Sequence, residues 1–109
     1  LDNKVVLSKT VLHAAENLGL TTDQLALILD IEKPSINLTL DPDSKPGKKA
    51  LLLIQIFQSL DALNGGDLEW IQNFMSSPNR ITGGIPIEQI QEDPGLVQVL
   101  ECVQALLIK

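Results

Sequence analysis

Apolar residues recur at helical spacing along almost the whole chain, and alternation at period two is nowhere sustained. Such a pattern buries its apolar residues as stripes on helices and leaves no half-buried strands to pair, so the expected fold is all-α. Of the 109 residues, 44% are hydrophobic and only 3% aromatic, so Leu, Ile and Val must fill the core. The 20% of charged residues make this a globular rather than a disordered composition. The longest uncharged apolar-rich stretch, residues 50–60, is too short to span a bilayer and includes Gln55, Gln58 and Ser59. No basic-then-apolar leader is visible, so the expectation is a cytoplasmic protein with no membrane partner. The single Cys102 cannot form an internal disulfide, which agrees with a reducing compartment.

Caps and breakers divide the chain into a compact bundle of about seven helices. Ser8 is placed to cap a first helix that presents Val11, Leu12, Ala15 and Leu18 before Gly19 ends it. Thr21 and Gln24 have the capping-box spacing, and Leu25, Leu27, Ile28 and Ile31 supply the buried side of a second helix. Pro34 suits the first turn of a short third helix over 34–40, which the cluster at 41–47 ends in a turn. A fourth helix over roughly 48–63 is apolar on nearly every side and is expected at the centre of the fold. Asn64-Gly65-Gly66 breaks it. Asp67 then caps a fifth helix ending near Ser77, and Pro86 and Pro94 start a short sixth helix and a seventh that runs toward Lys109.

Residues 21–30 and 34–40 have the arrangement of a helix-turn-helix, with the second segment in the recognition position. Within that segment Ser35, Asn37 and Thr39 are the polar side chains able to meet a base edge, and no arginine is present for guanine. Lys45, Lys48 and Lys49, with Lys33 nearby in sequence, form the one basic concentration, suited to phosphate contacts or to solvating the start of the fourth helix. Asp30, Glu32, Asp41 and Asp43 flank the segment and repel phosphate, and the formal charge of −6 argues against strong nonspecific affinity for nucleic acid. Operator DNA is therefore a weakly supported partner.

No residue constellation points to catalysis, a metal or a cofactor. His13 has no second histidine or nearby cysteine to complete a metal site, and Cys102 has no histidine to activate it and reads as a small buried hydrophobe. Paired acids such as Asp41 and Asp43 fall at turns and helix starts, where the helix dipole accounts for them. Trp70, Ile71 and Phe74 share one helical stripe and are expected in the core, so that Trp70→Ala should cost about 3–5 kcal/mol. Pro78, Gly83, Gly84 and Pro86 are expected to act through the backbone: glycine allows positive φ or close approach, and proline presets a first helical turn. The stretch from Asp67 to Pro86 thus fixes a shape, and a fixed shape without chemistry points to binding a partner.

These residues carry a resemblance. The Gly65-Gly66 break, Trp70, Pro78-Asn79, Gly83-Gly84, Ile85-Pro86-Ile87 and Asp93-Pro94-Gly95, followed by Val97, Val99 and Leu100, occur in the order and at spacings similar to those of the Xre/MbcA/ParS antitoxin family. The N-terminal half adds a form shared by many helix-turn-helix proteins, Leu18-Gly19-Leu20-Thr21 running on to Leu29. Asp30 departs from the pattern where such proteins often have a helix-ending glycine, and Ile85 where the loop is usually polar. The resemblance implies an Xre-like helix-turn-helix domain over 1–64 and a toxin-binding domain over 65–109. It also implies a type II antitoxin that neutralises a RES-type, NAD-consuming toxin by blocking its active site, forms a homodimer and represses its own operon. The alternative is a stand-alone helix-turn-helix transcriptional regulator. By the same resemblance the end of the last helix, Leu106, Leu107, Ile108 and Lys109, is expected at the toxin, where an apolar anchor with one terminal cation suits a cleft built for an anionic dinucleotide.

Overall fold

The computed structural model describes residues 3–32 and 40–108, with the backbone alone described at Asp93 and Ile108. Among the described residues six helices follow one another: α1 (Asn3–Leu18), α2 (Thr22–Leu29), α3 (Lys45–Asn64), α4 (Leu68–Ser76), α5 (Pro86–Gln89) and α6 (Asp93–Ile108). Among the described residues there is no strand, only an isolated antiparallel bridge between Asn79 and Gly84. The all-α expectation holds. The expected third helix falls on residues 34–39, which lie outside the described residues, as do Lys33, Ser35, Asn37 and Thr39.

Local chemistry explains most boundaries. Thr21 and Gln24 close the capping box, with Gln24 N–H donating to Thr21 Oγ1 at 3.1 Å and Thr21 N–H donating to Gln24 Oε1 at 2.9 Å. The C-cap of α2 is Asp30, which takes the left-handed conformation (φ 57°, ψ 47°) that a glycine would occupy more cheaply. Its N–H donates to the carbonyls of Ala26 and Leu27, so the helix ends as a glycine would end it. Asp67 caps α4 through a bond from Trp70 N–H to Asp67 Oδ1 of 3.2 Å.

Two boundaries differ from expectation. Ser8 caps nothing: α1 is already formed by Asn3, and Ser8 is buried in its interior beside Leu7 and Val11. The α3 helix starts at Lys45, three residues ahead of the expected 48, because Ser44 Oγ accepts from Gly47 N–H at 3.1 Å and Pro46 fits the first turn.

Helix α3 is the axis of the molecule, as its nearly all-round apolar pattern anticipates. It packs most extensively against α6 and α1, and further against α2 and α4. Helices α1 and α3 start at the same end, where Leu40 N–H donates to the Lys4 carbonyl just ahead of the α3 turn. A single apolar cluster runs from Leu7 and Val11 of α1 through Leu53, Ile56 and Leu60 of α3 to Leu96, Val99 and Val103 of α6.

Trp70 departs from its expected place in that cluster. The buried stripe of α4 is Ile71 and Met75, both fully buried, whereas Trp70 is 38% exposed. Neighbouring helical residues diverge by 100°, so Ile71 at the centre of the buried face puts Trp70 on its flank. There its ring stacks on Phe74, with centroids 5.6 Å apart and planes inclined by 24°. The cost of Trp70→Ala is therefore lower than its expected place in the core implied. Ile71→Ala should cost about 3–4 kcal/mol and Trp70→Ala about 1–2 kcal/mol, as measured by denaturant titration.

Candidate functional site

The segment joining α4 to α6 is built around one side chain, Asn79. Its carbonyl Oδ1 accepts from the N–H groups of Ile81 (2.7 Å) and Thr82 (3.4 Å). Its backbone carbonyl accepts from Gly83 N–H at 2.9 Å, and its own N–H donates to the Gly84 carbonyl at 2.8 Å. An asparagine that takes two local donors on its side chain closes a turn without help from a strand.

Gly83 and Gly84 each meet a local backbone constraint. Gly83 has φ +82°, a conformation L side chains rarely adopt. At Gly84 the limit is space: an added Cβ would lie 3.2 Å from the Gln89 side chain. Pro86 is buried at the first position of α5, while Pro78 is exposed where the chain leaves α4.

Two side chains from outside the turn hold it in place. Gln89 Nε2 of α5 donates to the Thr82 carbonyl at 2.6 Å, and Cys102 Sγ of α6 lies 3.4 Å from the Ile81 carbonyl. Cys102 is half-buried rather than the core hydrophobe expected, because it faces this turn. Asn79, Gln89 and Cys102 were not legible as a set, since their partners are backbone carbonyls and N–H groups whose positions only the fold supplies. The one local signal is the asparagine four residues ahead of a glycine, a common turn pattern.

The result is a rigid tip that presents Arg80 and Ile81 to solvent, Ile81 at 54% exposure. Arg80 is the only arginine in the chain. Cys102 sets the Ile81 backbone against the middle of α6, and Leu106 lies one turn further along the same stripe. Leu106 is half-buried and Leu107 is 40% exposed. Ile108 belongs to α6 by its backbone, and Lys109 lies outside the described residues. Among the described residues, the exposed Ile81 and Leu107 with the half-buried Leu106 make the loop tip and the end of α6 an apolar edge, with Arg80 as its cation. Nothing along it has the geometry of a catalytic pair. Among the described residues no group of three His, Cys, Asp or Glu is gathered closely enough to hold a metal ion. His13 instead meets Asn17, with His13 Nδ1 and Asn17 Nδ2 3.2 Å apart.

Lys45, Lys48 and Lys49 lie at the opposite end of α3 from the start of α4. Lys45 and Lys48 are exposed and Lys49 is half-buried in the first turn of α3, close to where α1 begins.

Residues 59–107 match the family model of the antitoxin Xre/MbcA/ParS C-terminal toxin-binding domain. The match runs from the end of α3 through the Asn79 turn into the last turn of α6 and so contains Ile81, Leu106 and Leu107. No curated protein matches the chain. Among the described residues no helix is long and apolar enough to cross a membrane.

Proposed function

We propose that this chain is the antitoxin of a type II toxin–antitoxin pair and that it neutralises a RES-type, NAD-consuming toxin by closing the toxin's active site. The observation that carries the reading is the coincidence of the family match over 59–107 with the exposed Ile81 and Leu107 and the half-buried Leu106. An exposed apolar edge on a pinned loop and a helix end can be buried by a partner with little loss of conformational freedom. Leu106, Leu107, Ile108 and Lys109 are its anchor at the mouth of the toxin, and the chain itself performs no chemistry. Residues 65–109 form the toxin-binding part, and residues 1–64 an Xre-like helix-turn-helix part. The second part packs on α3 of the first, and the two share one core.

The protein acts in the cytoplasm as a homodimer, which covers part of the apolar surface left by Val6, Leu27 and Leu51. Operon autorepression follows if the dimer places Lys33, Lys45, Lys48 and Lys49 on operator phosphates, with Ser35, Asn37 and Thr39 toward the bases. The test is co-expression with the protein encoded by the adjacent reading frame. The two should co-purify as one species by light scattering, of mass above that of the antitoxin dimer alone. Separate elution with no neighbouring RES-domain frame would leave the stand-alone regulator as the better reading.

A further inference from the structure

The exposed tryptophan plays no part in the edge just described. Trp70 heads a groove on the outer side of α4 that is lined by Asp67, Glu69, Trp70 and Asn73. Two of the chain's three aromatic residues stand here, stacked against each other. The stack restricts the indole to one orientation, so it forms a ready platform rather than a mobile side chain. Asp67 is equally fixed, since its Oδ1 holds the Trp70 N–H in the first turn of α4. Capping accounts for where the Asp67 carboxylate sits; it does not account for an indole left open to solvent beside it. Among the described residues neither Asp67 nor Glu69 forms an ion pair, and no Lys or Arg lines the groove.

The surroundings have the same sign. Residues 65–109 carry Asp67, Glu69, Glu88, Glu92, Asp93 and Glu101 against only Arg80 and Lys109. A partner that meets this part of the molecule over a broad face must be basic there. One side chain satisfies both a flat aromatic face and an adjacent carboxylate. The guanidinium of arginine stacks on an indole while its edge donates paired hydrogen bonds to a carboxylate.

We propose that the Trp70 groove receives an arginine side chain of the toxin, its guanidinium over the exposed indole and its N–H groups on the carboxylates of Asp67 and Glu69. This second contact rests on the antitoxin reading and would orient the toxin, while the Ile81 and Leu106 edge closes its active site. An aromatic and arginine pair of this kind is a common centre of binding strength at protein interfaces.

The experiment measures the affinity of the full-length chain for the purified RES-domain protein from the adjacent reading frame, at low and high salt. The variant Asp67→Asn with Glu69→Gln removes both charges and keeps a good helix cap, so the fold is retained. It should bind about tenfold more weakly at low salt, with the difference closing at high salt. Trp70→Leu should bind about tenfold more weakly at both salt levels. If the wild-type chain binds and the charge variant matches it in affinity and salt dependence, the groove is not the contact and the antitoxin reading survives without it. If the wild-type chain does not bind at all, the antitoxin reading and this inference fall together.

Discussion

Replacing Gly95 with alanine is expected to destabilise the protein by about 3 kcal/mol, although alanine is the better helix former by about 1 kcal/mol. A Cβ at this position would overlap the backbone carbonyl of Gln89, lying 2.7 Å from its carbon, and no side-chain rotation can relieve a clash with backbone. To make room, α6 must move away from α5, which disturbs the burial of Ile90 and Leu96. The same construction recurs at the start of α3. There a Cβ on Gly47 would meet the Asp41 carbonyl, again six residues earlier in the chain and again just after a proline. Gly47→Ala should therefore behave like Gly95→Ala. Gly83→Ala has open space and meets only the positive φ, so it should cost about 1 kcal/mol. Denaturant midpoints of the three variants check the order. Equal losses at Gly83 and Gly95 would mean that the close approach is absent in solution.

Ending the chain after Ala105 is expected to abolish inhibition of the toxin while leaving the fold in place. Among the described residues, the buried apolar side chains of α6, Leu96, Val99, Leu100 and Val103, precede the cut. What is lost is the half-buried Leu106, the exposed Leu107, and residues 108 and 109. The stability cost should be about 1–2 kcal/mol. Anchors at the centre of an interface commonly carry 2 kcal/mol or more each, so affinity for the toxin should fall by about a hundredfold or more. Circular dichroism separates the two effects. A truncated chain that unfolds would place Leu106 in the domain's own core, and the contact would then lie on the Asn79 turn.

The fold was legible wherever a boundary depends on residues within one turn of it. Thr21 with Gln24, and Asp67 with the N–H three residues on, close in the structure as their spacing predicts. The nearly all-round apolar pattern of α3 likewise anticipated its contacts with four other helices, although a stripe of Lys48, Leu51, Gln55, Gln58 and Ala62 stays in solvent. Ser8 misled because a serine ahead of an apolar run is a cap only if the helix starts there, and α1 starts earlier. Trp70 misled because three apolar residues within five positions span more arc than one neighbour can cover, and the packing chose Ile71 and Met75. The tight approaches at Gly47 and Gly95 were not legible at all, since each depends on where a carbonyl six residues away comes to rest.

The site was partly legible for the same reason. Gly83, Gly84 and Pro86 marked a shaped loop, and the structure supplies its parts: Asn79 organises the turn, while Gln89 and Cys102 hold it. That Ile81 ends up exposed beside α6 follows from these contacts and from nothing in its own neighbourhood in sequence.

Under the proposed function, this chain silences an NAD-consuming enzyme by occupying its active site. The measurement that tests it most directly is NAD consumption by the purified toxin as the full-length chain is titrated in. Consumption should fall linearly and stop when the chain reaches stoichiometric amounts, and the inhibition should weaken as NAD is raised, because nucleotide and antitoxin compete for one cleft. Undiminished consumption in the presence of excess folded chain would contradict the account.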